Sequence, residues 1–417
     1  MTVSVAALNP TATHNGYPRR FIAMMVFVLG ALTATAPLAT DLYLPAFPDM
    51  AEAMGSTEGH IQLTLTSMMV GLAIGQAVIG PLSDRFGRRV PLLIGMGAFT
   101  LTALLCTVAT STDQLIAIRF VQGLSGAAGM VIARAVIRDH FQGDDMTRFT
   151  SKMMFITMLA PMLGPIIGAQ MIAVAPWPAI FLFMAFMSTV AMFLVWRYLP
   201  ESLPTDQRQT LQGREFAAAL LHLLRDKYFI APVLAVCLNF SMLFTYVSTF
   251  SFISQNEMNA SAGTYSAIFA IGTLSLLIGN QANLFMINRV ESSRRMVVGL
   301  TISLTGVTLL TGVQLAGVDT LVTVPASIAV MMFGCGVVFP NLGAAAMSSQ
   351  EPRMAGTASA FMGCLQMTAG GAMPALATLG GVTLMNMTGG IIVYGIGTAI
   401  AVTATIRIYR GRPVAAV

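Results

Sequence analysis

Apolar runs of about 20 residues recur along the whole chain, and a run of that length crosses a bilayer as a helix. Twelve such runs are present, at 21–44, 61–82, 90–109, 113–137, 150–173, 178–198, 229–250, 263–287, 296–316, 319–346, 356–379 and 386–407. The cations fall in alternate gaps between them. Arg19 and Arg20 precede the first run, and Arg85, Arg88 and Arg89 lie between the second and third. Arg138, Arg148 and Lys152 follow the fourth, and Arg197 to Lys227 follow the sixth. Arg289, Arg294 and Arg295 follow the eighth, Arg353 the tenth, and Arg407, Arg410 and Arg412 the last. The other gaps carry acids: Asp49, Glu52 and Glu58, then Asp113, Glu257 and Asp319. Cations held on one side of a membrane predict an even number of spans with both termini cytoplasmic. Arg119 breaks the pattern, because it lies inside the fourth run.

The longest gap, 199–228, divides the chain near its midpoint. The expected organisation is a cytoplasmic tail (1–20), a six-helix half (21–198), a cytoplasmic linker (199–228), a second six-helix half (229–407) and a final tail (408–417). Within the linker, Phe216, Leu220, Leu223 and Leu224 share one helical face. That suits a helix on the membrane surface or an extension of span seven. The halves echo each other. The turn at 84–90 after span two has a counterpart in Asn288, Arg289, Arg294 and Arg295 after span eight. Gly164 and Pro165 in span five have one in Gly370, Gly371 and Pro374 of span eleven. The predicted fold class is an all-α membrane protein with twelve transmembrane helices in two six-helix pseudo-repeats. Two such repeats suggest a secondary transporter with its site between the halves.

Composition agrees. The chain is 56% hydrophobic and 9% charged, with a mean hydropathy of +0.77, whereas a soluble domain carries about 25% charged residues. The formal net charge of +5 belongs to loops facing anionic lipid, and nucleic acid is not an expected partner. Cys106, Cys237, Cys335 and Cys364 all fall inside apolar runs and form no CxxC pair. The four histidines lie outside the spans or at their ends, with no metal spacing and no phosphate-binding Gly-rich loop. No cofactor or metal is therefore expected, and ATP-driven transport and membrane enzymology are both disfavoured.

A few residues carry candidate chemistry. The turn Gly80-Pro81-Leu82-Ser83-Asp84-Arg85-Phe86-Gly87-Arg88-Arg89 combines three arginines, an acid able to pair with them, and a glycine suited to positive φ. A central arginine costs about 2.5–3.5 kcal/mol on insertion scales, so Arg119 should face a cavity or a partner. Asp41 is the one acid well separated from the ends of the predicted spans. Desolvation and a nearby cation act oppositely on a carboxyl, so its protonation can depend on conformation. Asp41 and Arg119 lie at similar depths and can meet if spans one and four are neighbours. Gly164, Pro165 and Gly168 in span five permit bending and close packing. Asn239, Tyr246 and Phe250 in span seven combine aromatic faces with polar tips.

These segments resemble the major facilitator superfamily over essentially the whole chain. More narrowly, they resemble its proton-coupled drug exporters of the bicyclomycin and chloramphenicol/florfenicol resistance type. The turn at 80–89 carries the likeness, as do Thr40-Asp41-Leu42-Tyr43-Leu44-Pro45-Ala46-Phe47-Pro48 and Arg119-Phe120-Val121-Gln122-Gly123. So do Ala133 to Asp139 and Ala160 to Gly168. The resemblance implies proton-coupled efflux of a small amphipathic drug or metabolite by alternating access in the cytoplasmic membrane, with the proton gradient as energy source. It implies proton coupling at Asp41 and Arg119. Conformational roles fall to Gly80, Asp84, Arg85, Gly87, Arg88, Gly164, Pro165 and Gly168. Tyr43, Gln122, Asn239, Tyr246 and Phe250 are candidate substrate contacts. The expected partners are the substrate, protons and lipid, with a monomeric chain. A metabolite transporter of the same fold, a membrane-embedded enzyme and a channel are the alternatives. Some related exporters carry a second acid in span one, where this chain has Thr33 and Thr35. The proton stoichiometry is therefore not carried over.

Overall fold

The computed structural model describes residues 13–14, 17–141, 143–208, 213–351 and 354–410. Arg353, Arg412 and most of both tails lie outside the described residues. A two-residue ladder pairs Thr13–His14 with Tyr17–Pro18, and helices make up nearly all the rest. Twelve are long: α1 Arg19–Asp41, α2 Glu58–Phe86, α3 Arg89–Thr107, α4 Thr112–His140, α5 Gly143–Ile172 and α6 Pro178–Tyr198, then α7 Lys227–Phe252, α8 Ala262–Met286, α9 Ser292–Leu315, α10 Thr323–Ser348, α11 Ala355–Ala377 and α12 Leu384–Arg410. Ten of these regions are long and apolar enough to cross a membrane. The other two are α5, whose apolar part is Leu159–Ile172, and α11, diluted by Thr357, Ser359, Gln366 and Thr368.

Local chemistry sets the boundaries. Thr57, Ser111 and Ser261 cap α2, α4 and α8 by accepting a backbone N–H of the first turn. Asp226 does the same for α7, so the linker helix Gly213–Arg225 is a separate element and not an extension of α7. Its Leu223 is buried with Phe229 and Val233 of α7 and Ala358 of α11. The first predicted span needs one revision. α1 stops at Asp41, and the chain turns through Leu44–Ala46 into a short helix, Phe47–Ala53. Pro45 and Pro48 supply no N–H to continue α1.

Packing repeats with a shift of six helices. α1 contacts α4 and α5, and α7 contacts α10 and α11; α2 packs on α4, and α8 on α10; α3 packs on α4 and α6, and α9 on α10 and α12. The contacts between the two sets exchange under the same shift: α2 with α11, and α8 with α5. Glycines tighten the equivalent pairs. A Cβ on Gly71 would lie 2.1 Å from the Phe120 carbonyl oxygen, and one on Gly123 would lie 2.0 Å from that of Met68. In the second set, Gly279 and Gly336 each bring a hypothetical Cβ within 2.1 Å of Phe333 and Leu276 oxygens. Backbone touches backbone at both places, as in glycine-mediated membrane helix pairs.

Candidate functional site

Asp41 and Arg119 are both buried, at 5% and 0% exposure, and α1 and α4 are neighbours. The structure nevertheless does not pair them. Arg119 donates Nη2 to the Ala39 carbonyl at 2.8 Å and Nη1 to Gln122 Oε1 at 2.7 Å. Its guanidinium lies over the Tyr43 ring, 4.2 Å from the centroid. The helix period explains this. Ala39 lies in the last turn of α1 and Tyr43 just beyond its end, and both reach Arg119. Asp41 is two residues from Ala39, roughly 200° away around the axis. Asp41 therefore faces α5, and among the described residues no cation lies within ion-pair distance of it. Tyr43 and Gln122, expected as substrate contacts, instead hold the arginine. The Tyr43 hydroxyl also meets Thr64 Oγ1 at 3.2 Å.

On α5 the expected glycines face α1. A Cβ on Gly164 would sit 3.2 Å from the Asp41 Cβ, and one on Gly168 only 1.9 Å from the Leu42 oxygen. The other set of helices is reached through the Pro165 carbonyl, which accepts from Ser266 Oγ at 2.8 Å. Gly168→Ala should therefore destabilise the fold by about 1–3 kcal/mol, the usual cost of overpacking. Gly164→Ala, whose added methyl meets only a tight side-chain contact, should cost less. Thermal unfolding in detergent and efflux at matched membrane abundance would check this ranking; equal behaviour of the two variants would refute it.

Two of the candidates on α7, Tyr246 and Phe250, belong to an aromatic group. Tyr246 lies 5.2 Å from Phe250 and 6.0 Å from Phe269, and Tyr265 of α8 lies 5.9 Å from Phe269, all between ring centroids. All four rings are buried. Among the described residues, the Tyr246 and Tyr265 hydroxyls find no hydrogen-bond partner, and neither does either amide atom of Asn239. Buried polar groups are rarely left unpaired, so these atoms mark a region suited to water or a ligand.

A row of hydrogen bonds crosses between 21–198 and 229–407 at the end of the bundle where α1 stops. Ser251 Oγ donates to the Leu44 oxygen, and Gln255 Nε2 to that of Pro45 at 3.2 Å. Thr66 Oγ1 donates to the Gly371 oxygen at 2.9 Å, and Asn256 meets Glu58. Gln62, 1% exposed, donates Nε2 to Ser248 Oγ at 3.0 Å and accepts from Thr378 Oγ1 at 2.8 Å. None of these residues was a sequence candidate. Single polar residues in apolar runs announce a buried partner but not which one.

Two sets of six helices, related by a shift in chain order and meeting along one seam, limit the possible relatives. A family model described as Major Facilitator Superfamily matches residues 29–375. The chain belongs to the Major Facilitator Superfamily. It is 33% identical over 381 residues to an uncharacterized MFS-type transporter, YdgK, of Bacillus subtilis, covering 90% of this chain and 93% of that one. It is 29% identical over 361 residues to a bicyclomycin resistance protein homolog of Haemophilus influenzae, covering 85% and 88%. Among solved structures, a bacterial homolog of the human lysosomal transporter Spinster, inward-facing and unoccupied, superposes with a TM-score of 0.75 at 10% identity, covering 96% of this chain and all of that one. This chain is accordingly a multi-pass membrane transporter and not an enzyme.

At the other end of this superfamily fold lies the cation-rich turn. Gly87 has φ +89° and ends α2, a conformation that favours glycine. Arg88 is 3% exposed and bonds Asp84, Ser83 at 2.8 Å and Asp139 of α4 at 3.1 Å. Burial opposes its charge, but the bonds to Asp84 and Asp139 outweigh this and raise its pKa above the ordinary value. The linker joins in. Glu201 accepts the backbone N–H groups of Arg88 and Arg89 at 2.7 and 3.1 Å, so an acid neutralises the start of α3. Arg85 is exposed, and a Cβ on Gly80 would make only an ordinary contact with Val131 at 3.9 Å, so neither is part of this network. In the equivalent place of the second half, Arg295 reaches Asn283 at 3.1 Å, and Asn341 bonds Asn283 at 2.7 Å. A second arginine inside α4, Arg134, escaped the charge-pattern reading; it is exposed and bonds the Met130 oxygen.

Proposed function

We propose that this superfamily member exports small amphipathic drugs from the cytoplasm in exchange for protons, from a cytoplasmic membrane in which its cation-rich end faces inward. One observation carries the proposal. Asp41 is a buried acid with no cation partner among the described residues, set where α1, α5 and the seam between the halves meet. A carboxyl there is expelled from water when the seam closes and regains water when it opens. Its proton occupancy and the conformation are therefore linked. Arg119 keeps α1 and α4 together through the Ala39 carbonyl, so the acid moves with its half. The buried, unpartnered polar atoms of Asn239 and Tyr246, with the Phe250 ring, supply a face for an amphipathic ligand. The alternating cation pattern supports the orientation. A relative described as a bicyclomycin resistance protein homolog supports the drug class.

The test is a susceptibility panel in an efflux-deleted bacterium expressing this chain, including bicyclomycin and phenicols. A raised inhibitory concentration that collapses with an uncoupler is the expected result. No change for any drug, with the protein abundant in the membrane, would favour transport of a metabolite.

A further inference from the structure

We propose that Gln62 is the latch residue of the transport cycle, the side chain whose hydrogen bonds hold the mouth beside Asp41 shut. It rests on the alternating-access reading above but requires neither a drug nor proton coupling. Gln62 sits one turn inside α2 and is almost fully buried. Its amide donates to Ser248 of α7 and accepts from Thr378, just beyond α11. Among the described residues it is the side chain of the first half that uses both a donor and an acceptor on two separate segments of the second. Each of the other side chains named above that bond across this mouth reaches a single partner in the opposite half.

An amide suits this duty. It carries no charge, so closing the mouth incurs no ionic desolvation. Its donor and acceptor lie on one rigid plane, so both bonds form or break together. When the halves separate, water can replace Ser248 and Thr378, and the net cost of opening stays small enough for a cycle. A hydrophobic replacement removes both bonds and leaves the Ser248 and Thr378 hydroxyls without their partner while the mouth is closed. The closed population should then fall roughly ten-fold or more relative to the open one, the factor expected for one to two net buried hydrogen bonds.

The experiment uses the full chain in lipid nanodiscs without drug. Spin labels at Glu52→Cys and Thr264→Cys flank the mouth, because the crevice there is lined by Glu52 from one half and Gly263 from the other. Gln62→Leu should move the distance distribution toward a longer, open population. Thr378→Val and Ser248→Ala should each move it part of the way. Combining Thr378→Val with Gln62→Leu should add little, as for two members of one interaction. If Gln62→Leu fails to reach the membrane, the two single-hydroxyl variants decide the matter. Parental distance distributions in Gln62→Leu, or in both hydroxyl variants, would overturn the proposal. Loss of transport without a distance change would likewise assign Gln62 another role. An inactive parent that still shows the latch shift would count against the drug reading alone.

Discussion

Asp41→Asn should abolish uphill drug transport in proteoliposomes with an imposed pH gradient, while drug binding to the detergent-solubilised protein persists. Asn has nearly the same shape as Asp and can still hydrogen-bond, so the contact with Gly164 on α5 need not change. What it cannot do is carry and release a proton. Because no cation among the described residues pairs with Asp41, the substitution orphans no positive charge among them, and the fold should tolerate it. The variant thus separates coupling from occupancy. Drug movement and proton flux would be recorded together. Parental uphill transport in the Asn variant would remove Asp41 as the coupling acid and turn attention to Asp84 and Asp139. Both of these, however, are already engaged with Arg88.

Arg119→Ala should reduce efflux by at least about ten-fold at matched membrane abundance, since bonds from a charged donor are worth about 1.5–3 kcal/mol each. The change strips the Ala39 carbonyl and Gln122 Oε1 of their donor inside the protein and removes the cation from the Tyr43 ring. Arg119→Lys should recover only part of the activity. An ammonium can serve one of the two acceptors, but it lacks the planar fork that spans both while stacking on an aromatic face. Since Asp41 is not its partner, Arg119→Ala should lower protein stability as well as transport. Full efflux from the Ala variant would make the arginine dispensable.

Much of the fold was legible in the sequence because a lipid environment leaves few options. Long apolar runs must be helices, and the glycine, proline and arginine signatures place them in a known arrangement. The exception at α1 is instructive. Its apolar run extends to Leu44, but Pro45 and Pro48 end the helix early and place Asp41 on its last turn. The site was legible as a list of residues and not as a set of partners. Asp41 and Arg119 were each conspicuous alone. Whether they meet depends on which side of α1 faces α4, and a two-residue offset turns that answer around. Gln62, Tyr265 and Glu201 carried no signal, because an isolated polar residue in an apolar run or a connector has no spacing to read. Asn283 and Asn341, likewise polar residues in apolar runs, bond each other between α8 and α10.

The glycine contact between α2 and α4 has a mechanical consequence. α2 runs 29 residues from Glu58 to Phe86, a rod of about 44 Å at 1.5 Å per residue. Gly71 fastens it near its middle to α4, so closely that α2 cannot slide or bend independently at that point. Any rocking of the first half must then carry the whole rod as a lever. One end bears Gln62 and the other Asp84, so a rocking first half, as proposed, would carry the two in opposite directions. Under the proposed cycle, spreading one mouth would press the other together without any signal passing through the substrate. A leak, with both mouths ajar at once, would require the rod to break at its stiffest joint.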